Sequence, residues 1–154
     1  MAEKSSSILA ASFALGTFIA LSPSIPFQTP LLFGLSWLFG LNAAVTFAAV
    51  YIVNNPLTMV PIYVIDYAVG VWVFQKVLGI SLTCYNPAWV ERFNTFISKY
   101  IDIKAYLGEG FCIWYLLLGG VLFALVVSVA SYPFLKWGFD RLRAQIEKQR
   151  RTSP

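Results

Sequence analysis

The stretch SSSILAASFALGTFIALSPSIPFQTPLLFGLSWLFGLNAAVTFAAVYIVNNPLTMVPIYVI, from Ser5 to Ile65, runs for 61 positions without a charged residue. One membrane helix needs about 20 apolar residues, so this run must double back on itself. Its prolines mark where. Pro23, Pro26 and Pro30 interrupt it in Ser22-Pro23-Ser24-Ile25-Pro26-Phe27-Gln28-Thr29-Pro30, and Pro56 and Pro61 interrupt it in Asn54-Asn55-Pro56-Leu57-Thr58-Met59-Val60-Pro61. Proline has no amide donor and its ring collides with the preceding helical turn, so each corner frees backbone groups. Unpaired N–H and C=O groups facing lipid are costly. Each corner must therefore lie at the water interface, be buried against protein, or line a wet cavity.

The interruptions divide the chain into hydrophobic arms. Ile8–Leu21 holds 14 uninterrupted residues, about 21 Å of helix against a hydrocarbon core of about 30 Å. It reads as a re-entrant half-helix or a short span that borrows Ser5–Ser7. A secretory signal peptide is the lesser reading, because only Lys4 precedes the arm and a proline follows Ala20-Leu21-Ser22. Leu31–Val53 offers 23 uncharged residues, long enough to cross, and carries small residues (Gly34, Ser36, Gly40, Ala43, Ala44, Ala48, Ala49) that let helices approach closely in lipid. The third arm covers about 58–78 and holds one charge, Asp66; the fourth is Phe111–Leu135.

Composition narrows the class. The chain is 58% hydrophobic and 12% charged, where a soluble domain is about a quarter charged, and its mean hydropathy is +0.71. A disordered chain, a coiled coil, a secreted disulfide scaffold and an ordinary soluble enzyme are excluded. There is no histidine, hence no imidazole base, metal ligand or pH switch. Cys84 and Cys112 have no metal or dithiol spacing. No cofactor, metal centre or catalytic constellation is expected, and the chain is read as a non-enzyme.

Between the third and fourth arms lies a segment of another kind. Asn86-Pro87 is a helix start, with asparagine as cap and proline at the first position. Trp89, Phe93, Phe96, Ile97, Tyr100, Ile101, Ile103 and Leu107 then recur mostly at three- or four-residue steps, and Glu91, Arg92, Asn94, Thr95, Ser98, Lys99 and Asp102 fill the other face. This predicts an amphipathic interfacial helix over about 87–107. Residues 136–154 form a basic tail with six Lys/Arg against Asp140 and Glu147. That bias puts the C-terminus in the cytoplasm, although the 81–110 loop carries Arg92, Lys99 and Lys104 of its own. The N-terminus is then cytoplasmic if every arm crosses, and flips if the first re-enters. The five tryptophans suit interfacial belts.

The expected architecture is all-α: a single integral membrane domain over 1–154, with three to four membrane segments and proline-broken helices, the first of them either re-entrant or a short span. Asp66 sits eight residues into the third arm. A carboxylate there is expensive unless it meets water or a partner. It is read either as a proton or cation site or as an acid near the headgroups, with Tyr63 or Tyr67 as a phenol donor. A helix capped by Thr58, with Pro61 in its first turn, would leave Asn54–Leu57 irregular. The plain reading of the two corners is ordinary turns at the membrane surface. The sharper reading is a pair of polar tips meeting inside the protein around a solute, with Gln28, Asn54, Asn55, Thr58 and Asp66 as its binding residues. Asn42 and Gln28 also suit interhelical hydrogen bonds.

Gly16-x-Phe18-Ile19-x-x-Ser22-Pro23, then Gln28-Thr29, Asn42, Asn55-Pro56-Leu57-Thr58-x-x-Pro61-x-Tyr63 and Gly70 resemble the pattern of DUF2062, a bacterial membrane-protein family of unknown function. The match covers about 8–80 and, more loosely, the rest. Pro26 stands where the family often has glycine, and Phe39-Gly40-Leu41 lacks its basic residue before Asn42. The resemblance implies a polytopic protein of a bacterial inner membrane and brings no activity. The functional expectation is translocation of a small solute, ion or lipid through the two corners; the alternative is a non-transporting scaffold or assembly partner. The expected contacts are the lipid bilayer and a second copy or membrane partner protein, with no nucleic acid.

Overall fold

The computed structural model of the protein describes residues 5–24, 27–80, 86–97 and 111–152. It is all-α, with six helices among these residues: α1 (Ser6–Leu21), α2 (Gln28–Leu38), α3 (Ala43–Val53), α4 (Pro56–Val71, continued by a π-helical stretch Trp72–Val77), α5 (Ala88–Ile97) and α6 (Ile113–Thr152).

Side-chain caps set the helix starts. The Ser5 hydroxyl accepts the amide of Ile8 and opens α1 at Ser6, two residues before the start read from hydropathy. The expected single helix over 31–53 is corrected to two helices. Gly40 adopts φ +63°, Leu41 N donates to Ser36 O and Gly40 N donates to Trp37 O. This is a glycine-terminated stop with both end carbonyls satisfied. Asn42 then caps α3 by accepting from Ala44 N at 3.1 Å. Hydropathy is blind to such a break because Gly40 and Leu41 carry no charge.

The order of contacts fixes the helix directions. Asn42 N donates to Ser12 Oγ at 2.8 Å, and a Cβ on Gly16 would strike Thr46 O and Ala49, so α1 and α3 run parallel. Helix α2 returns antiparallel between their ends, with Leu32 packing on Ile19 and Val50 and Ser36 Oγ donating to Thr46 Oγ1 at 3.2 Å. Helix α6 runs against both α1 and α4. Ser128 Oγ donates to Ala14 O at 2.7 Å, while Gly119 faces Gly70 and the carbonyl of Asp66. Leu21, Ile62 and Ala124 meet in one cluster against Val53 and Tyr63. Thus α1 and α4 lie end to end along α6, and α3 leads into α4 across the Asn54-Asn55 break.

The exterior is apolar, and the interior mixes apolar side chains with polar ones. Its buried residues include Ser12, Thr17, Ser22, Ser36, Thr46 and Asp66, whereas Trp37, Leu57, Val60, Val64, Val126, Val129 and Phe134 are all more than 60% exposed. Two helical stretches are long and apolar enough to cross a membrane, Pro56–Val77 and Ile113–Gln149; the first, at 22 residues, measures about 33 Å. All five tryptophans are exposed, and Arg141 lies 4.7 Å from the Trp137 ring centre.

The expectation of Asn86 as cap and Pro87 as first residue of α5 is corrected: α5 starts at Ala88, with Pro87 in the cap position. The Asn86 side chain instead donates to Phe111 O at 2.8 Å and accepts from Ile113 N at 3.1 Å, so it opens α6. Pro87 O receives the first amides of α5, those of Val90 and Glu91. The part of the expected amphipathic helix beyond Ile97, and Cys84, lie outside the described residues. Cys112 is a buried free thiol.

Candidate functional site

Helix α4 buries Ile62, Asp66 and Gly70 at four-residue steps, together with Tyr67; the steps of four make one face. That face meets α6 at its glycines. A Cβ on Gly70 would overlap the backbone of Tyr115, and one on Gly119 would overlap the carbonyl of Asp66 and the backbone of Gly70. The two backbones touch because neither helix has a side chain at the crossing. Gly120, the next residue, opens towards a third element: a Cβ there would stand 2.5 Å from the Pro23 ring and 3.1 Å from Asp66 Oδ2. The first proline corner, the acid and the α6 glycines therefore converge on one point.

Asp66 is 0% exposed, and neither of its carboxylate oxygens has a hydrogen-bond partner; the Tyr63 hydroxyl, one turn earlier, is likewise buried and unpartnered. The expected phenol donor to Asp66 is thus corrected. Tyr63 makes no such bond, and the Tyr67 hydroxyl is directed to Cys112 N, from which it accepts at 3.4 Å. The interior hydroxyls behave otherwise. Ser12 and Thr17 donate to carbonyls one turn back, at 2.6 and 3.0 Å, and Thr46 donates to Asn42 O at 3.1 Å.

The corners differ in how they satisfy their backbone. Pro23 cannot donate to Ile19 O as a helical residue would. Ile19 O instead accepts from Ser22 Oγ at 3.1 Å, Ser24 Oγ at 3.3 Å and, at the 3.5 Å limit, Gln28 Nε2. At the second corner Asn55 Oδ1 accepts from Leu57 N and Thr58 N, while Thr58 Oγ1 accepts from Asn55 N and donates to Val53 O at 2.7 Å. This reciprocal cap starts α4 at Pro56, with Asn55 as N-cap. The expectation of Thr58 as cap is corrected: the asparagine satisfies two amides at once, and Pro56 at the first position forfeits nothing. Pro61 consequently falls inside the helix.

Of the five sequence-read site residues, Asp66 lies at the convergence. Gln28 lies at the first corner through its bond to Ile19 O. Asn54 ends α3 by donating its amide to Val50 O, and Asn55 and Thr58 are engaged with each other. The Gly119-Gly120 pair escaped the sequence reading, although two adjacent glycines in an otherwise bulky arm are a signal for close helix approach. Among the described residues no three His, Cys, Asp or Glu side chains come together as a metal site.

The family model for an uncharacterised protein conserved in bacteria, DUF2062, matches residues 3–148. The chain belongs to DUF2062. No curated protein and no solved structure matches it. The DUF2062 match runs through both proline corners, Asp66 and the α6 glycines, so this site lies within the family's own span. The family's description assigns it no activity.

Proposed function

We propose that this DUF2062 protein is an integral membrane protein that translocates a small solute, an ion or a lipid group through a polar site centred on Asp66. One observation carries the reading: a fully buried carboxylate with both oxygens unpartnered, set against a proline-broken corner. Such a group is destabilising in a purely structural role and is retained where it handles a charge or a solute.

The apolar exterior and the helix directions support the following placement in the bilayer. Helices α1 and α2 form a re-entrant hairpin whose tip, Ser22–Ser24, reaches the middle of the apolar half of α6. Helices α3 and α4 form one discontinuous span broken at Asn54-Asn55, and α6 is the second span. The basic extension of α6 lies in the cytoplasm, and the N-terminus lies on the same side. Broken helices at membrane depth meet wet sites in other transporters. Gln28 and Asn54 border the path, and Asn55 and Thr58 hold its break in shape.

Reconstitution into liposomes tests the reading. With a panel of ions, small polar solutes and labelled lipids, native protein is expected to accelerate passage of at least one, and Asp66→Asn to lower that rate by tenfold or more. Equal rates in both proteins remove Asp66 from the mechanism; no passage of anything, with a partner crosslinked in native membranes, favours the scaffold.

A further inference from the structure

We infer that Asp66 is a proton-binding site whose ionisation opens the first corner, so that the proton is the coupling ion of this protein; the inference rests on the translocation reading only for the word coupling. The argument begins with charge. A carboxylate that is fully buried and unpartnered is held in its closed site as the neutral acid, because the ionised form would forgo both hydration and a counter-charge. Among the described residues the surroundings supply no such charge. On α4 the titratable neighbours are Tyr63 and Tyr67. From α6 the facing residues are Gly119 and Gly120, with Tyr115 one turn away against Gly70. From the first corner the neighbour is the Pro23 ring, and the Ser22 and Ser24 hydroxyls are directed to Ile19 O.

A proton suits this site better than a metal ion. Gly120 sits between Asp66 Oδ2 and the Pro23 ring carbon, and no second carboxylate joins a cluster there among the described residues, whereas a hard cation requires a shell of about six oxygens. One proton needs one oxygen, and the Tyr63 hydroxyl stands within the same helical turn to receive a water when the site wets. Opening is a movement of the Pro23 ring off Gly120. The Asp66 O–H bond then breaks, its proton passes to water, and the carboxylate left behind is hydrated. The closed form binds one more proton than the open form, so rising pH favours opening, and a change of pH on one side shifts the two populations.

Two measurements on the full chain in liposomes test this. The first is infrared difference spectroscopy. Native protein at neutral pH is expected to show a protonated-carboxyl C=O band that shifts in heavy water and is lost in Asp66→Asn but kept in Asp140→Asn. The second uses Ser24→Cys with Cys84 and Cys112 replaced by alanine. Labelling by a membrane-impermeant thiol reagent is expected to rise with pH several-fold more steeply than in the same protein carrying Asp66→Asn, whose fixed neutral amide holds the corner closed. Should Asp66→Asn fail to fold, Gly120→Ala serves instead: its methyl presses on Pro23, so labelling should be high and flat across pH. Absence of the band, its survival in Asp66→Asn, or identical pH slopes in the two backgrounds overturns the inference. So does labelling that follows sodium at fixed pH, which would make an alkali ion the ligand. If the band and the slopes behave as expected and no solute crosses, the translocation reading fails while the proton switch stands.

Discussion

The two proline corners begin from the same sequence signal and end as different structures. At Asn54-Asn55 the amide and hydroxyl side chains close a reciprocal cap within four residues. At Ser22-Pro23 three side chains gather on one carbonyl, that of Ile19, while the proline ring is pressed beside a carboxylate 43 positions away. The first solution is local; the second depends on two other helices. A polar, proline-rich break is therefore not in itself a binding tip. It becomes a candidate when the fold places it against a group that is unsatisfied.

The comparison is broken most severely by removing the crossing that brings the distant parts together. Gly119→Val would drive a branched side chain into the carbonyl of Asp66 and the backbone of Gly70, so a loss of about 3 kcal/mol or more is expected. Thermal unfolding in mild detergent checks it; a wild-type midpoint would show that the crossing is not tight. The local corner should yield less. Asn55→Ala removes an N-cap whose oxygen accepts from Leu57 N and Thr58 N, with an expected cost of about 1 to 2 kcal/mol in the same unfolding measurement.

A double-mutant cycle sharpens the contrast further. Asn55→Ala with Thr58→Val should be non-additive by about 0.5 kcal/mol or more, since the two residues share one cap, whereas Asn55→Ala with Asp66→Asn should add to within about 0.5 kcal/mol. Coupling of the second pair would mean that the corners act as one unit. The smallest effect is expected from Ser24→Ala. Its bond to Ile19 O, at 3.3 Å, is one of three on that carbonyl, so the loss should be about 0.5 kcal/mol; a loss as large as that of Asn55→Ala would give the first corner a local cap of its own.

Much of this was legible in the chain. The uncharged run dictates folding back, the prolines fall at both corners, and Asn86-Pro87 marks the start of α5. The division at Gly40 was legible in principle. Glycine followed two residues later by asparagine is a stop and a start, but a reading by hydropathy passes over it because the residues around it are uniformly apolar. Pro61 misled for a related reason. Its cost to a helix is real and exceeds what the Asn55 cap returns, but α4 is also held by its packing on α6 through Asp66 and Gly70. The phenol expected for Asp66 failed because Tyr67, next along the helix, turns its hydroxyl to Cys112 N.

By itself the sequence determined an all-α chain bent at its prolines, with one acid in its third apolar arm, because charge spacing and backbone chemistry are local properties. It could not say what the acid would meet. That was decided by the α4–α6 crossing, where three glycines let backbones touch and leave Asp66 beside Pro23 with neither oxygen bonded. Contact between positions 23, 66 and 120 is a matter of close packing across helices far apart in the chain, and no local pattern encodes it.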